Sequence, residues 1–326
     1  MSRAQLTSTV EQSSGGVVAP FLAGKNKILN GDFSIWQRGT SFSNPSTNTY
    51  SADRYVVNFD GSGATRTISQ QAFTVGTAPV TGYESAYFLR YNQSVAGSGG
   101  TYLNLEQRIE DARVFANQTV TFSFWAKADS SRTVNVGYNQ YFGSGGSSTN
   151  YSSTQNITLT TSWARYSVNF SIASIAGKTI GSGSFLGVDI NMPPNTAQTI
   201  DTWGWQLEAG SVATPFTTCA NTLQGELALC QRYLPVFTGG SLSGYAYATN
   251  GVIYSVKFPV QARVAPTSMV VVSQSNIYSL NTSVLYTPTF NLASTDGANI
   301  VGAITVTAGQ GSRLEGGYIY FTGCEL

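Results

Sequence analysis

The sequence has no histidine, only 10% charged residues and three cysteines among its 326 residues. Without histidine the chain cannot build a Ser-His-Asp triad, a Cys-His pair or a histidine-ligated metal centre. Cys219, Cys230 and Cys324 are odd in number and widely spaced, so they fit neither a disulfide framework nor a zinc site. We expect three reduced, mostly buried thiols.

Charge and long apolar runs are also scarce. The 17 Lys and Arg residues nearly balance the 16 Asp and Glu residues, and no basic cluster could follow a phosphate backbone. The apolar runs are too short for a transmembrane helix, and residues 1–10 lack the apolar core of a secretory signal peptide. We therefore expect no nucleic-acid partner, no membrane insertion and no secretory signal.

The sequence is rich instead in short alternating segments. Apolar residues occupy every second position from Tyr166 to Ile172, and residues 119–128 alternate in a similar way. Segments rich in Gly and Ser, such as residues 143–149, separate them. This pattern predicts a mainly β protein with an antiparallel sandwich.

The segment that closes the alternating region carries Trp203, Trp205 and Leu207 at every second position. Strict alternation predicts that these three side chains lie on one face of a terminal strand. A glycine turn and a Pro215-Phe216 exit follow this strand.

Residues 221–234 carry the one convincing helical pattern. Its apolar stripe consists of Leu223, Leu227, Leu229, Cys230 and Leu234. Asn221 with Gln224 is the predicted cap at its start, and Pro235 ends it. Such a helix fits two arrangements, packing along a symmetry axis or packing against its own domain.

The sequence beyond the helix is again β-like. The predicted strands are residues 245–255, 256–260, 268–272, 299–307 and 317–321. Val270, Val271 and Val272 predict a strand that is either buried or part of an interface.

Residues 1–27 form a polar arm whose short apolar patch is broken by Pro20. This segment cannot bury enough surface to fold alone. It is either a disordered tail or a latch that attaches the chain to a particle. In the second case, the attachment residues are Val17, Val18, Phe21 and Leu22.

Three motifs resemble carbohydrate-binding-module jelly rolls found in many tailed-bacteriophage virion proteins. They are Asn-Gly-Asp-Phe at residues 30–33, Phe-Ser-Phe-Trp-Ala-Lys-Ala at residues 122–128, and the segment 203–216. The resemblance covers residues 28–216. It implies a jelly-roll sandwich at residues 28–217 after the arm, a linking helix at 218–238 and a smaller C-terminal β-domain at 239–326.

The candidate glycan-binding residues are Tyr138, Tyr141, Phe142 and Tyr151, which flank a Gly/Ser-rich loop beside several amide side chains. Flat aromatic faces next to amides and hydroxyls are what glycan recognition requires. Ordinary packing or a subunit contact is the alternative role. The tryptophans in the framework motifs, Trp125, Trp163 and Trp205, are assigned to the core.

The resemblance also implies a structural calcium ion between the first and last strands, where Asp32 and Asp201 lie. Ser34 departs from the family pattern, which commonly has glutamate just after the Asn-Gly-x-Phe motif. No other cofactor is expected, and no catalytic residue is assigned. Carboxylate pairs such as Glu106 with Glu110 or Asp111, and Asp189 with Asp201, are interpreted as structural or solvated groups.

The leading hypothesis is a non-enzymatic virion protein, a tail fibre or tail-associated protein that binds host-surface polysaccharide through its β-domains. It would assemble in the host cytoplasm as a homotrimer, join other virion subunits through its arm, and be exposed outside the cell on the particle. A capsid decoration protein or head fibre is the alternative. A polysaccharide-degrading enzyme component is the third hypothesis, weakened by the absence of histidine.

Overall fold

A computed structural model of the protein describes residues 24–279 and 282–326. The four predicted attachment residues, Val17, Val18, Phe21 and Leu22, lie outside these residues, so their role stays a prediction. Two β-rich regions and a short helix between them make up the described part of the chain.

The first region contains thirteen strands that pair into two antiparallel sheets. The strands are β1 (Ser41–Ser43), β2 (Thr49–Tyr50), β3 (Tyr55–Phe59), β4 (Thr65–Ala72), β5 (Tyr87–Val95), β6 (Leu103–Glu110), β7 (Thr119–Ala128), β8 (Arg132–Tyr141), β9 (Asn150–Tyr151), β10 (Gln155–Leu159), β11 (Ala164–Ser171), β12 (Phe185–Asn191) and β13 (Gln198–Ala209). One sheet has the order β1-β4-β5-β13-β7-β11. The other has the order β10-β8-β12-β6-β3-β2, with β9 paired to β8. Both sheets contribute side chains to one core, which confirms the predicted antiparallel sandwich.

The pleat of the strands decides which residues enter this core. In β11, buried and exposed residues alternate as the sequence predicts. In β7, Phe122 and Phe124 belong to the core as expected, but Thr121 and Trp125 on the opposite face are buried as well. The chain beyond β13 covers that face, where the Thr121 hydroxyl donates a hydrogen bond to the Gly210 carbonyl oxygen at 2.8 Å.

The prediction that Trp203, Trp205 and Leu207 share one face is wrong for Trp203. The register of β13 on β7 shifts between Trp203 and Gln206, which is a β-bulge. Gly204 supplies the left-handed conformation there, with φ of +66°, and a Cβ atom at this position would lie 2.6 Å from the Trp125 ring. The extra residue sends the Trp203 and Trp205 rings to opposite faces of the sheet.

Trp205 joins the first sequence motif to the last. Its ring packs edge-on against Tyr55 and Phe122, with centroids 5.2 and 5.1 Å away, and against Phe33 at 6.3 Å. Its backbone N–H donates to the Gly31 carbonyl oxygen at 2.9 Å. A Cβ atom at position 31 would lie 2.4 Å from the Trp205 carbonyl oxygen, so this close approach requires glycine.

The helix α1 spans Leu223–Gln231, within the predicted segment, but its cap and buried face differ from the prediction. Thr222 caps it, because its hydroxyl accepts the Gly225 N–H at 3.1 Å. Leu223 is 65% exposed, while Glu226 is buried and its carboxylate accepts the backbone N–H of Asn30 at 2.8 Å. The helix is therefore fastened to the start of the sandwich by a polar contact.

The second region contains ten strands. They are β14 (Val236–Thr238), β15 (Ser241–Ala248), β16 (Gly251–Lys257), β17 (Ser268–Ser273), β18 (Ser275–Ser279), β19 (Thr282–Tyr286), β20 (Thr289–Ala293), β21 (Gly297–Gly302), β22 (Gly311–Glu315) and β23 (Tyr318–Thr322). They form a three-stranded sheet, β14-β23-β17, and a seven-stranded sheet, β19-β18-β22-β15-β16-β21-β20.

Several details of this region differ from the sequence prediction. The strand predicted at residues 245–255 is the hairpin of β15 and β16, because the chain turns at Thr249 and Asn250. Val270 and Val272 in β17 are 40% and 55% exposed, so the buried alternative for this strand is wrong and the interface alternative stays a prediction.

The sequence also makes predictions about the cysteines and the membrane-spanning potential of the chain. All three cysteines are free, and Cys230 and Cys324 are buried, as expected. Among the described residues, no helix is long and apolar enough to cross a membrane.

A buried ion pair connects the second region to the sandwich. Arg54 is only 1% exposed and its guanidinium pairs with the carboxylate of Glu325, which also accepts a hydrogen bond from Arg38 at 2.8 Å. The Arg54 guanidinium lies 3.6 Å from the centroid of the Tyr233 ring. Because a buried guanidinium without a counterion is costly, the sandwich depends on the second region.

We expect Glu325→Ala to lower the free energy of unfolding by about 3 kcal/mol, because it leaves two largely buried guanidinium groups unpaired. Urea denaturation followed by circular dichroism measures this change. The matched control is Glu315→Ala, which removes an exposed ion pair with Arg313 and should cost less than about 1 kcal/mol. Equal losses in the two variants would contradict the dependence of the sandwich on Glu325.

Candidate functional site

The sheet β10-β8-β12-β6-β3-β2 buries one face in the core and leaves a cleft on the other. On β6, Leu103 and Leu105 belong to the core, whereas Asn104, Glu106 and Arg108 line the cleft. Strands β3, β8 and β12 alternate in the same way. The cleft has a volume of about 490 Å³.

A row of four asparagines crosses the sheet on the cleft side. In register, Asn58 of β3 is opposite Asn104 of β6, which is opposite Asn191 of β12, which is opposite Asn135 of β8. The Asn58 amide donates to the Asn104 side-chain oxygen at 3.0 Å. Such a row offers both hydrogen-bond donors and acceptors across four strands.

The next row across the sheet places two carboxyl groups side by side. Glu106 of β6 is opposite Asp189 of β12. Glu106 accepts hydrogen bonds from the Asn58 amide at 3.0 Å, the Asn139 amide at 2.8 Å and Arg108 Nε at 3.0 Å. Asp189 accepts a hydrogen bond from the Asn191 amide. These carboxyl groups were not paired with each other in the sequence interpretation, because only strand register brings them together.

Burial, followed by the neighbouring Glu106 charge, raises the pKa of Asp189 from 3.8 to about 7. Hydrogen bonds from Asn191 and Asn139 oppose this shift without cancelling it. The Asp189 carboxyl group therefore changes its protonation near neutral pH.

Two glycines open the floor of the cleft. A Cβ atom at Gly187 would lie 2.4 Å from the Glu106 carboxylate and 2.6 Å from the Asn139 amide nitrogen, and one at Gly137 would contact Asp189 at 3.4 Å. Because neither position carries a side chain, the polar groups of the neighbouring strands pack across them.

Aromatic rings stand at the rim of the cleft. Tyr151 is 75% exposed and Tyr102 is 44% exposed. Tyr141 is half-buried and lies 5.0 Å, centroid to centroid, from Phe185, and the Arg108 guanidinium lies over the Phe185 ring at 5.0 Å. The exposed rings offer flat apolar faces in the same cleft as the asparagines.

Two of the four predicted glycan-binding residues, Tyr141 and Tyr151, line this cleft with their side chains. The prediction is wrong for Phe142, which is fully buried, and for the ring of Tyr138. Tyr138 borders the cleft, but the pleat turns its ring into the core, where its hydroxyl donates to the Ser171 carbonyl oxygen at 2.9 Å. Sequence reasoning missed Tyr102, because its place in the cleft depends on the register of the neighbouring strands.

The framework tryptophans lie where the sequence predicts, whereas the carboxylate neighbours suggested for Glu106 are bonded to other residues. Trp125 and Trp205 are buried and Trp163 packs against the core, as expected. Neither Glu110 nor Asp111 is the hydrogen-bonded neighbour of Glu106, because Glu110 binds Arg232 and Asp111 binds Arg113.

The residues proposed for calcium do not fit that ion. Asp201 is neutralised by Arg90, at 2.7 Å, and by Lys127, at 3.5 Å. Asp32 accepts hydrogen bonds from Ser34 and Tyr83 instead. Calcium takes several oxygen ligands, including carboxylates that no cation of the protein has already neutralised. Within residues 24–279 and 282–326, no group of three or more His, Cys, Asp or Glu residues could hold a metal ion.

Residues 70–181 match the carbohydrate binding domain family. This segment includes β6 and β8, which line the cleft, and the match supports the resemblance to carbohydrate-binding modules. No curated protein matches the chain.

Three solved structures illustrate the similarity of the chain to known folds. A family 4 carbohydrate-binding module is 17% identical with a TM-score of 0.36, and the alignment covers 56% of this chain and 98% of the module. The family 11 module from Clostridium thermocellum, in complex with a β-1,3-1,4-mixed-linked tetrasaccharide, is 12% identical with a TM-score of 0.34 and coverages of 54% and 98%. The enzymatically active domain of tailspike protein 4 from bacteriophage CBA120 is 13% identical with a TM-score of 0.36 and coverages of 57% and 22%. With TM-scores this low, the fold rests on the strand order of the chain itself.

We expect Asp189→Asn to change how stability depends on pH. Below pH 4 the Asp189 carboxyl is protonated in both the folded and the unfolded chain. Its folded pKa is about 7, so the wild type loses stability as pH rises from about 4 to about 7. The variant lacks this loss, so between pH 4 and pH 8 the stability difference between variant and wild type should shift in favour of the variant by about 4 kcal/mol. Urea denaturation between pH 4 and pH 8.5 measures the difference.

Glu106→Gln is the control for this measurement. It removes the neighbouring charge and keeps Asp189, so the loss of stability should move to lower pH. A difference between wild type and Asp189→Asn that does not vary with pH would contradict the raised pKa.

Proposed function

We propose that the chain binds an extended glycan in the cleft of its seven-stranded sandwich sheet and does not cleave it. The observation that carries this proposal is that the asparagine row and the exposed rings of Tyr102 and Tyr151 belong to the same face and cleft of the sheet. Amide groups pair with sugar hydroxyls, and aromatic faces pack against the apolar face of a sugar ring. The match of residues 70–181 to the carbohydrate binding domain family supports the same ligand class.

The geometry favours a chain of sugars over a single one. Neighbouring strands are about 4.8 Å apart, so a row across four strands extends for about 15 Å. That distance exceeds the width of one sugar ring. The ligand would therefore run across the strands, along the asparagine row.

A second candidate function, glycan hydrolysis, is favoured by the Glu106 and Asp189 pair, because glycosidases use two carboxyl groups. Both side chains are nevertheless buried and hydrogen-bonded to the protein at the cleft floor. The two carboxyl groups lie side by side on the cleft floor, whereas a glycosidase needs one on each side of the scissile bond, so this placement supports binding without cleavage. Release of reducing sugars from a bound polysaccharide by the purified chain would favour the enzyme instead.

We further propose that this protein is a component of a tailed-bacteriophage virion, a tail fibre or tail-associated protein that binds host-surface polysaccharide. The sequence motifs at residues 30–33, 122–128 and 203–216 support this proposal. A homotrimer attached to other virion subunits through residues 1–27 belongs to the same proposal. A capsid decoration protein or head fibre is the alternative.

We expect Tyr151→Ala and Tyr102→Ala each to weaken glycan binding about tenfold, because each removes an aromatic face from the cleft rim. Isothermal titration with neutral hexasaccharides of glucose and xylose measures the affinity. Tyr87→Ala is the control, since Tyr87 is a partly exposed tyrosine on β5 of the other sheet. Equal affinity in all variants, or loss in the Tyr87 variant alone, would place the binding site elsewhere.

Deletion of residues 1–23, which include the four predicted attachment residues, tests the attachment role. We expect the truncated chain to fold, because it keeps the buried Asn26 that is hydrogen-bonded to Trp205 and Leu207 of β13, and to be absent from assembled particles. Electron microscopy and immunoblotting of purified particles check this result. A truncated chain that still joins the particle would exclude the arm as the attachment segment.

A further inference from the structure

We propose that Glu106 and Asp189 hold a single negative charge between them and so make the cleft selective for uncharged glycans, which bind less tightly once both groups are ionised. This inference rests on the proposed glycan-binding function and adds the class of glycan and its regulation by pH.

The first support is the position of the two carboxyl groups. They are opposite each other on neighbouring antiparallel strands, so their Cβ atoms are about 5 Å apart on the same face of the sheet. Glu106 is 4% exposed and Asp189 is 7% exposed. Two negative charges at this distance, largely shielded from water, repel each other strongly, so one of the two carboxyl groups keeps a proton.

The hydrogen bonds decide which group keeps the proton. Glu106 receives two amide hydrogen bonds and a hydrogen bond from the Arg108 guanidinium, so it has a cationic partner. Asp189 has amide partners only. The proton therefore resides on Asp189, in agreement with its raised pKa of about 7.

No other charge in the described part of the cleft compensates for a second carboxylate. The charged groups around Asp189 are Glu106 and Arg108, both on β6. The other titratable groups are the tyrosines Tyr102, Tyr141 and Tyr151. The neighbours of Asp189 from β3 and β12, such as Asn58 and Asn191, are uncharged. Arg108 is already engaged by Glu106 and by the main-chain oxygen of Leu326, at 2.7 Å.

This arrangement has two consequences for a ligand. A protonated Asp189 keeps an O–H group that it can donate to a sugar oxygen, and ionisation removes that donor and places a second negative charge next to Glu106 at the cleft floor. A uronate or sulfated sugar would bring its own negative charge next to Glu106, and Arg108, the cation among the described cleft residues, is already bonded to Glu106 and Leu326. The cleft therefore fits neutral sugars at and below neutral pH.

Isothermal titration with the full chain tests this inference at pH 5.5, 7.0 and 8.5. The probes are cellohexaose, xylohexaose and laminarihexaose as neutral sugars and hexagalacturonate as the anionic sugar. For the neutral probe that binds best, we expect the affinity to fall about tenfold between pH 5.5 and 8.5, since Asp189 ionises within this range. Hexagalacturonate should bind at least about tenfold more weakly than that probe at pH 7.0.

Asp189→Asn carries a neutral side chain of the same shape at every pH, so its affinity for the neutral probe should not change with pH. Glu110→Gln is the matched control, because Glu110 ends β6, the strand that pairs with β12, but is bonded to Arg232, and this variant should keep the pH dependence. Circular dichroism confirms that both variants fold, and the wild-type pH profile provides a test that needs no variant.

The outcomes separate this inference from the proposed function. Neutral binding that is independent of pH, binding of hexagalacturonate as tight as that of the neutral probe, or an Asp189→Asn variant that keeps the pH dependence overturns the inference and leaves the function intact. Absence of binding to every hexasaccharide at all three pH values rejects the glycan-binding function and the inference together.

Discussion

The strands β8, β12, β6 and β3 of the seven-stranded sandwich sheet are buried on one face against the aromatic core that contains Trp205, and this one-sided burial constrains the rest of the molecule. Because successive side chains point to opposite faces, every apolar residue placed in the core leaves its neighbours facing outward. On β6, Leu103 and Leu105 pack into the core, and Asn104, Glu106 and Arg108 line the cleft. The polar composition of the cleft is thus a consequence of how the sheet is held in place.

The second β-region acts on the same sheet from outside. Glu325 neutralises the buried guanidinium of Arg54, whose other nitrogen donates to the Arg108 carbonyl oxygen at 2.6 Å. The Arg108 side chain reaches both the Leu326 main-chain oxygen and Glu106. A chain of charged and hydrogen-bonded groups therefore connects the last described residues to the carboxyl pair of the proposed glycan site. Arg54 and Arg108 thus join the second region to the cleft by direct contacts.

Local patterns in the sequence predicted much of the fold. The strands β7 and β11 and the helix α1 were located correctly because each has a clear periodicity of two or of about 3.6 residues. The errors arose where tertiary contacts override that periodicity. A bulge at Gly204 moved Trp203 to the other face, and a carboxylate, Glu226, became the most buried polar residue of the helix because its partner Asn30 comes from a distant segment.

The sequence by itself determined the class of the fold, the absence of histidine chemistry and the resemblance to carbohydrate-binding modules, since these depend on composition and local motifs. It also placed Tyr141 and Tyr151 in the candidate site. Only the tertiary structure decided that Asn58, Asn104, Asn135 and Asn191 form one row and that Glu106 lies opposite Asp189. Residues that are tens of positions apart become neighbours through strand order and register, and long-range pairing of this kind leaves no periodic signal in a single sequence.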